Sequence, residues 1–446
     1  MILKARKTKI APDLNKRCKE RKVLDASLVF AVVAGIIIIG FAGEFFFKKT
    51  GIPIFLFLIL TGIILGPVLN FFPRDPLLST LPIFAELTLF MVLFYGGLGL
   101  TSDSVLKSGG RAFLQTVIYV GVSISVIGAI GAVVFKWPTI PSFIFASMIG
   151  GETTAAVVVP LSRSMKLSDE TVAFLTMESA MNSIFSVVFF FAFVGVNTTG
   201  EGNWTTALSS VASQFTVGAV VGAGLGLAWI LILYRFQKQK FTYVLTVGLI
   251  LVTYSVASEL GGNGILAVLV FGIILGNYKL VNCRLFKREM DMDNLQKQLG
   301  TFQEEISFLL ETLFFVFLGL TFLVKPSLIA FNFSIGILFL LVLLAGRFVA
   351  TRVSTFKSEL SNQRSVILLM CAQGLTPATL AILAVSLQVP LADTFLNVVT
   401  YVIILTNIVT AAGSFLNMRH QKRMKNTSQN LENHQSVQPK RQLANR

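Results

Sequence analysis

Two short polar clusters interrupt a chain that is otherwise almost uniformly apolar. Residues 151–159 read GETTAAVVV and residues 178–183 read ESAMNS. The first supplies Glu152, Thr153 and Thr154; the second supplies Glu178, Ser179, Asn182 and Ser183. On a helix Glu178 and Asn182 form an i, i+4 pair on one face, with Ser179 and Ser183 as a parallel pair beside them. Carboxylate, amide and hydroxyl oxygens are hard ligands of the kind that suits Na⁺ and similar cations. A carboxylate can also carry a proton, whereas hydroxyls and amides do not titrate in the working pH range. These residues are therefore equipped to strip water from a small cation.

The elements that must position them are membrane helices. Of the 446 residues, 54% are hydrophobic and 13% charged, and the mean hydropathy is +0.76. Those values lie outside the usual range of soluble domains. Apolar stretches of roughly 20 residues, the length needed to cross about 30 Å of hydrocarbon, follow one another nearly without pause. We read about 13 spans, near residues 27–47, 52–72, 80–101, 112–135, 140–162, 169–196, 206–234, 242–259, 262–278, 301–324, 328–350, 365–389 and 393–417. The expected fold class is an all-α polytopic membrane protein. A basic tail (1–26) precedes the membrane domain (27–417), and a polar, basic tail (418–446), read as disordered, follows it.

Lysines and arginines in the short loops set the orientation. With alternating spans, one side collects Lys48, Lys107, Arg163, Arg235, Lys240, Arg288, Arg352, Lys357 and Arg364 among others, and the opposite side only Arg74, Lys136 and Lys325. This puts the C-terminus in the cytoplasm and, with an odd span count, the basic N-terminal tail outside. The net charge of +15 is explained by these loops and the two tails, so nucleic-acid binding is not implied. Cys18, Cys283 and Cys371 have no metal or redox spacing. The only histidines, His420 and His434, lie in the tail, which excludes a histidine-based mechanism in the membrane. No cofactor or enzymatic activity is expected.

Ionisable residues at membrane depth are rare and usually line a cavity or pair with one another. Here they are Glu152, Glu178 and Arg347, with Glu86, Glu259 and Glu311 nearer span ends. The fifth span carries Gly150-Gly151-Glu152-Thr153-Thr154, and the twelfth carries Gln373-Gly374-Leu375-Thr376-Pro377. Both are expected to be broken helices. An odd offset of seven spans between them reverses direction through the membrane, as inverted-topology repeats require.

The order of these features resembles the monovalent cation:proton antiporters of the NhaP and sodium/proton-exchanger type. The likeness is carried by the threonine-bearing broken helix, ESAMNS starting 24 residues after Thr154, AGRF at 345–348 and AQGLTPATLAI from Ala372. ELGGNGILAVLVFGIILGN (259–277) and FFVFLGL (314–320) add to it. It covers roughly residues 27–417. Two departures stand out. The family's T-D-P motif is matched by Thr153, with Thr154 and Ala155 in place of the aspartate and proline. Its E-S-x-x-N-D motif is matched by Glu178, Ser179 and Asn182, with Ser183 in place of the aspartate.

The resemblance implies a secondary transporter that exchanges Na⁺ or K⁺ for H⁺ by alternating access. It implies a multi-pass protein of the cell membrane, a homodimer, and a core of helices near 112–196 and 301–417 moving against a scaffold. It further implies a Glu178–Arg347 ion pair, which leaves Glu152 as the candidate acid among Thr153, Thr154, Glu178, Ser179, Asn182 and Ser183. Gly374, Thr376 and Pro377 are expected to shape the second break. Loss of both aspartates leaves open an alternative, an uncoupled relative acting as sensor, uniport pathway or regulatory protein.

Overall fold

The computed structural model describes residues 26–50, 52–71, 74–100, 102–199, 204–236, 242–281, 293–322 and 326–442. Among these every regular element is helical. In hydrocarbon each backbone N–H and C=O must find a partner inside the protein, which a helix supplies locally. Among the described residues eight helices are long and apolar enough to cross a membrane, and five shorter apolar helices accompany them.

The first part of the chain forms α1 (Ala26–Thr50), α2 (Ile54–Ile63) and α3 (Arg74–Gly99). After Ile63 the α2 backbone widens into a π turn over Ile64–Val68, which contains Pro67. Proline has no N–H to donate to the i−4 carbonyl, so the regular ladder cannot continue through it. Next come α4 (Ser102–Val133), α5 (Thr139–Ile149), α6 (Ala155–Ser164), α7 (Asp169–Thr199), α8 (Trp204–Phe236), α9 (Thr242–Glu259) and α10 (Gly264–Gly276). The turn between α9 and α10 is a true break: Gly261 sits at φ +73°, and Asn263 caps α10 by accepting from Leu266 N at 3.0 Å. The chain continues through α11 (Tyr278–Val281), α12 (Asp293–Thr321), α13 (Pro326–Ser354), a 3₁₀ turn at Glu359–Gln363, α14 (Arg364–Leu369), α15 (Leu375–Ser386) and α16 (Ala392–Gln442).

These helices pack as two groups. In one, α3 lies against α10 and α12, α2 against α12, and α8 against α10. In the other, α4 packs on α5, α7 and α13, and α16 packs on α13 and α15. An aromatic cluster closes one end of the second group: Phe145 lies 5.4 Å from Trp137, 5.1 Å from Phe339 and 5.0 Å from Phe395, centroid to centroid. The groups meet chiefly where α15 crosses α3 and α7 runs beside α8.

Three expectations differ from the structure. The helix over 301–324, assigned from sequence to the moving core, packs on α2 and α3. The second break lies over Met370–Gly374, ahead of Thr376 and Pro377, which occupy the first turn of α15. There a missing N–H costs nothing, because first-turn donors have no intrahelical acceptor. Finally, helical backbone continues past 418 to Gln442. The basic tail over residues 1–25 lies outside the described residues.

Candidate functional site

The fifth-span cluster forms a stretch without helical structure. Helix α5 ends at Ile149, α6 begins at Ala155, and Gly150–Thr154 between them is non-helical. Gly151 has φ +85°, and a Cβ there would meet the Val120 backbone at 2.9 Å, so both conformation and space require glycine. The second such stretch, Met370–Gly374, lies against it. Thr154 N donates to Ala372 O at 2.8 Å. A Cβ on Gly374 would come within 2.7 Å of the Thr154 Cβ, so the two backbones approach this closely only because residue 374 has no side chain.

Side chains of neighbouring helices satisfy the polar backbone released by these breaks. From α7, Ser179 Oγ donates to Thr153 O at 2.6 Å and Asn182 Nδ2 to Thr153 Oγ1 at 2.7 Å. From α16, Thr406 Oγ1 accepts from Gln373 N at 3.2 Å, Asn407 Nδ2 donates to Gln373 O at 2.7 Å, and Thr410 Oγ1 donates to Leu369 O at 3.0 Å. Gln373 itself ties the two breaks together, donating through Nε2 to Ile149 O at 2.6 Å. The α16 residues are not singled out by the sequence, and Gln373, placed by it in the second break, gains its bridging role only from the structure. A signal for the α16 residues is present as hydroxyls and an amide three to four residues apart in the last span, at Thr406, Asn407, Thr410 and Ser414.

The two membrane-depth glutamates have different surroundings. Glu178 is fully buried and bound by Arg347, whose Nη1 donates to Oε1 at 2.6 Å and Nη2 to Oε2 at 3.2 Å. The guanidinium also donates through Nε to Ile367 O at 3.0 Å and lies 5.3 Å from the Tyr119 ring centre. Each Glu178 oxygen thus accepts a hydrogen bond from Arg347, while Asn182, one turn on, turns its amide to Thr153. Glu152, also buried, has no cationic partner among the described residues. Its Oε2 accepts from Gly374 N, at the N-terminus of α15, at 3.3 Å, and the Ser183 and Thr376 hydroxyls are its neighbouring hydrogen-bonding side chains. Ser183 Oγ also reaches Ser179 O at 3.1 Å. Among the residues of the two breaks and of α7 beside them, two buried acceptors hydrogen-bond nothing: Asn182 Oδ1, whose amide nitrogen binds Thr153, and Gln373 Oε1, next to Gly374.

The remaining acids lie elsewhere. Glu86 takes a hydrogen bond from Tyr254 Oη, and Glu259 is exposed. Glu311 is half-buried on α12. No cluster of His, Cys, Asp and Glu with metal-binding arrangement occurs among the described residues. Cys371 is buried, with a free thiol.

The sequence pattern of the family described as "Sodium/hydrogen exchanger, transmembrane" matches residues 29–416. The chain belongs to that family. Sodium/hydrogen exchangers are a class of transporters, and the membership makes this a multi-pass membrane protein. Among relatives, the K⁺/H⁺ antiporter NhaP2 of Shewanella sp. (strain MR-4) is 26% identical over 375 residues, 82% of this chain and 62% of that protein. The Na⁺/H⁺ antiporter ApNhaP of Aphanothece halophytica is 27% identical over 207 residues, 45% of this chain and 37% of that protein. The chain thus spans less than two thirds of the length of either relative. The sodium proton antiporter MjNhaP1 of Methanocaldococcus jannaschii shares the exchanger fold, with a TM-score of 0.75 at 19% identity, covering 88% of this chain and 98% of that one.

Proposed function

We propose that the protein exchanges a monovalent cation, Na⁺ or K⁺, for H⁺ by alternating access, with Glu152 as the group that binds proton and cation in turn. The observation that carries this reading is a buried carboxylate with no cationic partner among the described residues, in a pair of breaks whose residues and neighbours include buried oxygens that hydrogen-bond nothing. A charge in such a place is expensive unless something compensates it. A proton on the carboxyl does so, and so does a cation shared with Asn182 Oδ1, Gln373 Oε1 and the Ser183 and Thr376 hydroxyls. The two cannot occupy the same oxygens together, and this exclusion is what coupled exchange needs.

The ends of the half-helices support the same role. The N-termini of α6 and α15 point positive partial charge into the crossing, favouring the ionised Glu152, while the C-termini of α5 and α14 present carbonyls that suit a cation. Glu178 is assigned to structure, holding α7 to α13 through Arg347. With Thr154 and Ser183 at the positions where the family resemblance expects aspartates, Glu152 supplies the titrating charge from two residues before Thr154 in the same break. The loop-charge asymmetry supports a cytoplasmic C-terminus in a cell membrane. A homodimer paired through the first helix group follows from the resemblance.

The test is proton movement in proteoliposomes carrying an imposed pH gradient, with Na⁺, K⁺ and Li⁺ added in turn. Cation-dependent collapse of the gradient in the wild type, absent in Glu152→Gln, is the expected result. Equal exchange by that variant would transfer the role to another acid.

A further inference from the structure

Outside the crossing, the turn between α13 and α14 encloses a cavity of about 660 Å³ lined by Arg352, Val353, Phe356, Lys357, Ser361 and Arg364. Half of these residues are cationic. Among the described residues none of the three has a carboxylate within ion-pair distance. Arg364 Nε donates to Thr355 Oγ1 at 2.8 Å, the Arg352 guanidinium lies 5.5 Å from the Phe348 ring centre, and the Lys357 ammonium lies 5.4 Å from that of Phe356. Glu170 and Glu359 border an adjoining cavity with Arg111 and Lys357, and line no part of this one. Lys357 adopts φ 52°, a left-handed conformation unusual for a residue bearing a side chain, which folds the chain back at the end of α13.

The rim of this cavity is apolar and open. Phe356 is 63% exposed and Val353 47%. An exposed stripe along α13 through Ile337, Leu341 and Phe348, at the spacing of one helix face, runs down to Arg352, one turn beyond Phe348 on the same face. On a helix long enough to span a membrane, such a stripe is the side that meets lipid chains. A concentrated positive charge at the foot of a lipid-facing stripe matches an amphiphile with an anionic head and long tails. A free anion would use the charge and leave the stripe without a role.

We propose that this cavity seats the phosphate headgroup of an anionic phospholipid, with its acyl chains along the α13 stripe. Arg364 opens α14, and α14 leads directly into the Met370–Gly374 break that carries Gln373 and Gly374. A lipid held by Arg352, Lys357 and Arg364 therefore braces the half-helix beside the crossing. The binding itself does not depend on the antiport reading.

Retention of lipid by the purified full chain tests this, measured in nanodiscs or mixed micelles containing phosphatidylglycerol in phosphatidylcholine. Arg352→Gln/Lys357→Gln changes two exposed side chains that make no hydrogen bond to the fold, so it preserves the protein. A basic residue at an anionic surface strengthens attachment about fivefold, so the double change weakens phosphatidylglycerol retention roughly thirtyfold. The matched removal of charge elsewhere, Arg163→Gln/Lys166→Gln, leaves it unchanged. Equal retention by both variants and wild type overturns the proposal, as does an equal loss in the control. So does stabilisation by inorganic phosphate that phosphatidylglycerol does not exceed, which would mark a free-anion site.

Discussion

Removing either partner of the Glu178–Arg347 pair gives the sharpest test of the division of labour between the two glutamates. Breaking a buried pair by deleting one side typically costs about 3–5 kcal/mol, because the other charge stays buried without compensation. In Glu178→Ala the guanidinium keeps Ile367 O and the Tyr119 ring. A desolvated cation–π contact is worth about 2 kcal/mol, so the loss belongs near the lower end of that range. Arg347→Ala also removes one of the two donors to Ile367 O, leaving Met370 N at 3.3 Å, which adds about 0.5–1.5 kcal/mol for the lost hydrogen bond. It should be the more damaging change at neutral pH. The two also differ in pH dependence. A guanidinium cannot shed its proton, whereas an abandoned carboxylate can acquire one, and each unit of falling pH makes that cheaper by about 1.4 kcal/mol. Thermal midpoints of the detergent-solubilised variants between pH 7.5 and 5.5 should therefore converge for Arg347→Ala and wild type as pH falls. Those of Glu178→Ala should keep a constant deficit. The double variant should lose less than the sum of the singles, since neither charge remains. Strict additivity, or an Arg347→Ala deficit that ignores pH, would refute the reasoning.

Glu152→Gln should keep the wild-type midpoint in detergent while losing cation-dependent proton movement; a large drop in stability instead would make Glu152 a structural residue. Ser183→Asp places a second carboxylate beside Glu152, and should lower the cation concentration needed for half-maximal exchange or displace the pH profile. No change in either would place residue 183 outside the ligand set. Gly374→Ala forces a Cβ to within 2.7 Å of the Thr154 Cβ, so exchange and midpoint should both fall, with Thr154→Gly restoring part of the loss; a silent Gly374→Ala would mean the two backbones are not held at this separation. Cysteines placed at Lys240 and Gly202 should react with membrane-impermeant reagents from opposite sides, and labelling from one side alone would change the span count between them.

Much of the molecule is legible in the sequence because membrane solvent imposes simple rules. Long apolar runs must be helices, since no other open structure satisfies its own backbone in hydrocarbon, and each predicted span coincides with a helix or a pair of short helices. The breaks were readable where glycines coincide with polar side chains, as at Gly150–Thr154. Pro377 misled, because a proline marks either the interior of a break or the first turn of the helix after it, and only the backbone hydrogen bonds separate the two. Residue types alone established that Glu152, Glu178 and Arg347 are unusual at membrane depth. Which glutamate receives the arginine and which is left without one was decided by tertiary structure. The difference lies in the packing of α7 and α13 against the same helix, α4, which brings Glu178 to Arg347 across 169 residues of chain, and in the close approach at Gly374, which aims a backbone N–H at Glu152. Gln373 and Asn407 became visible for the same reason. Their role is to satisfy backbone groups of segments distant in sequence, and a hydrogen bond between segments depends on their meeting in space.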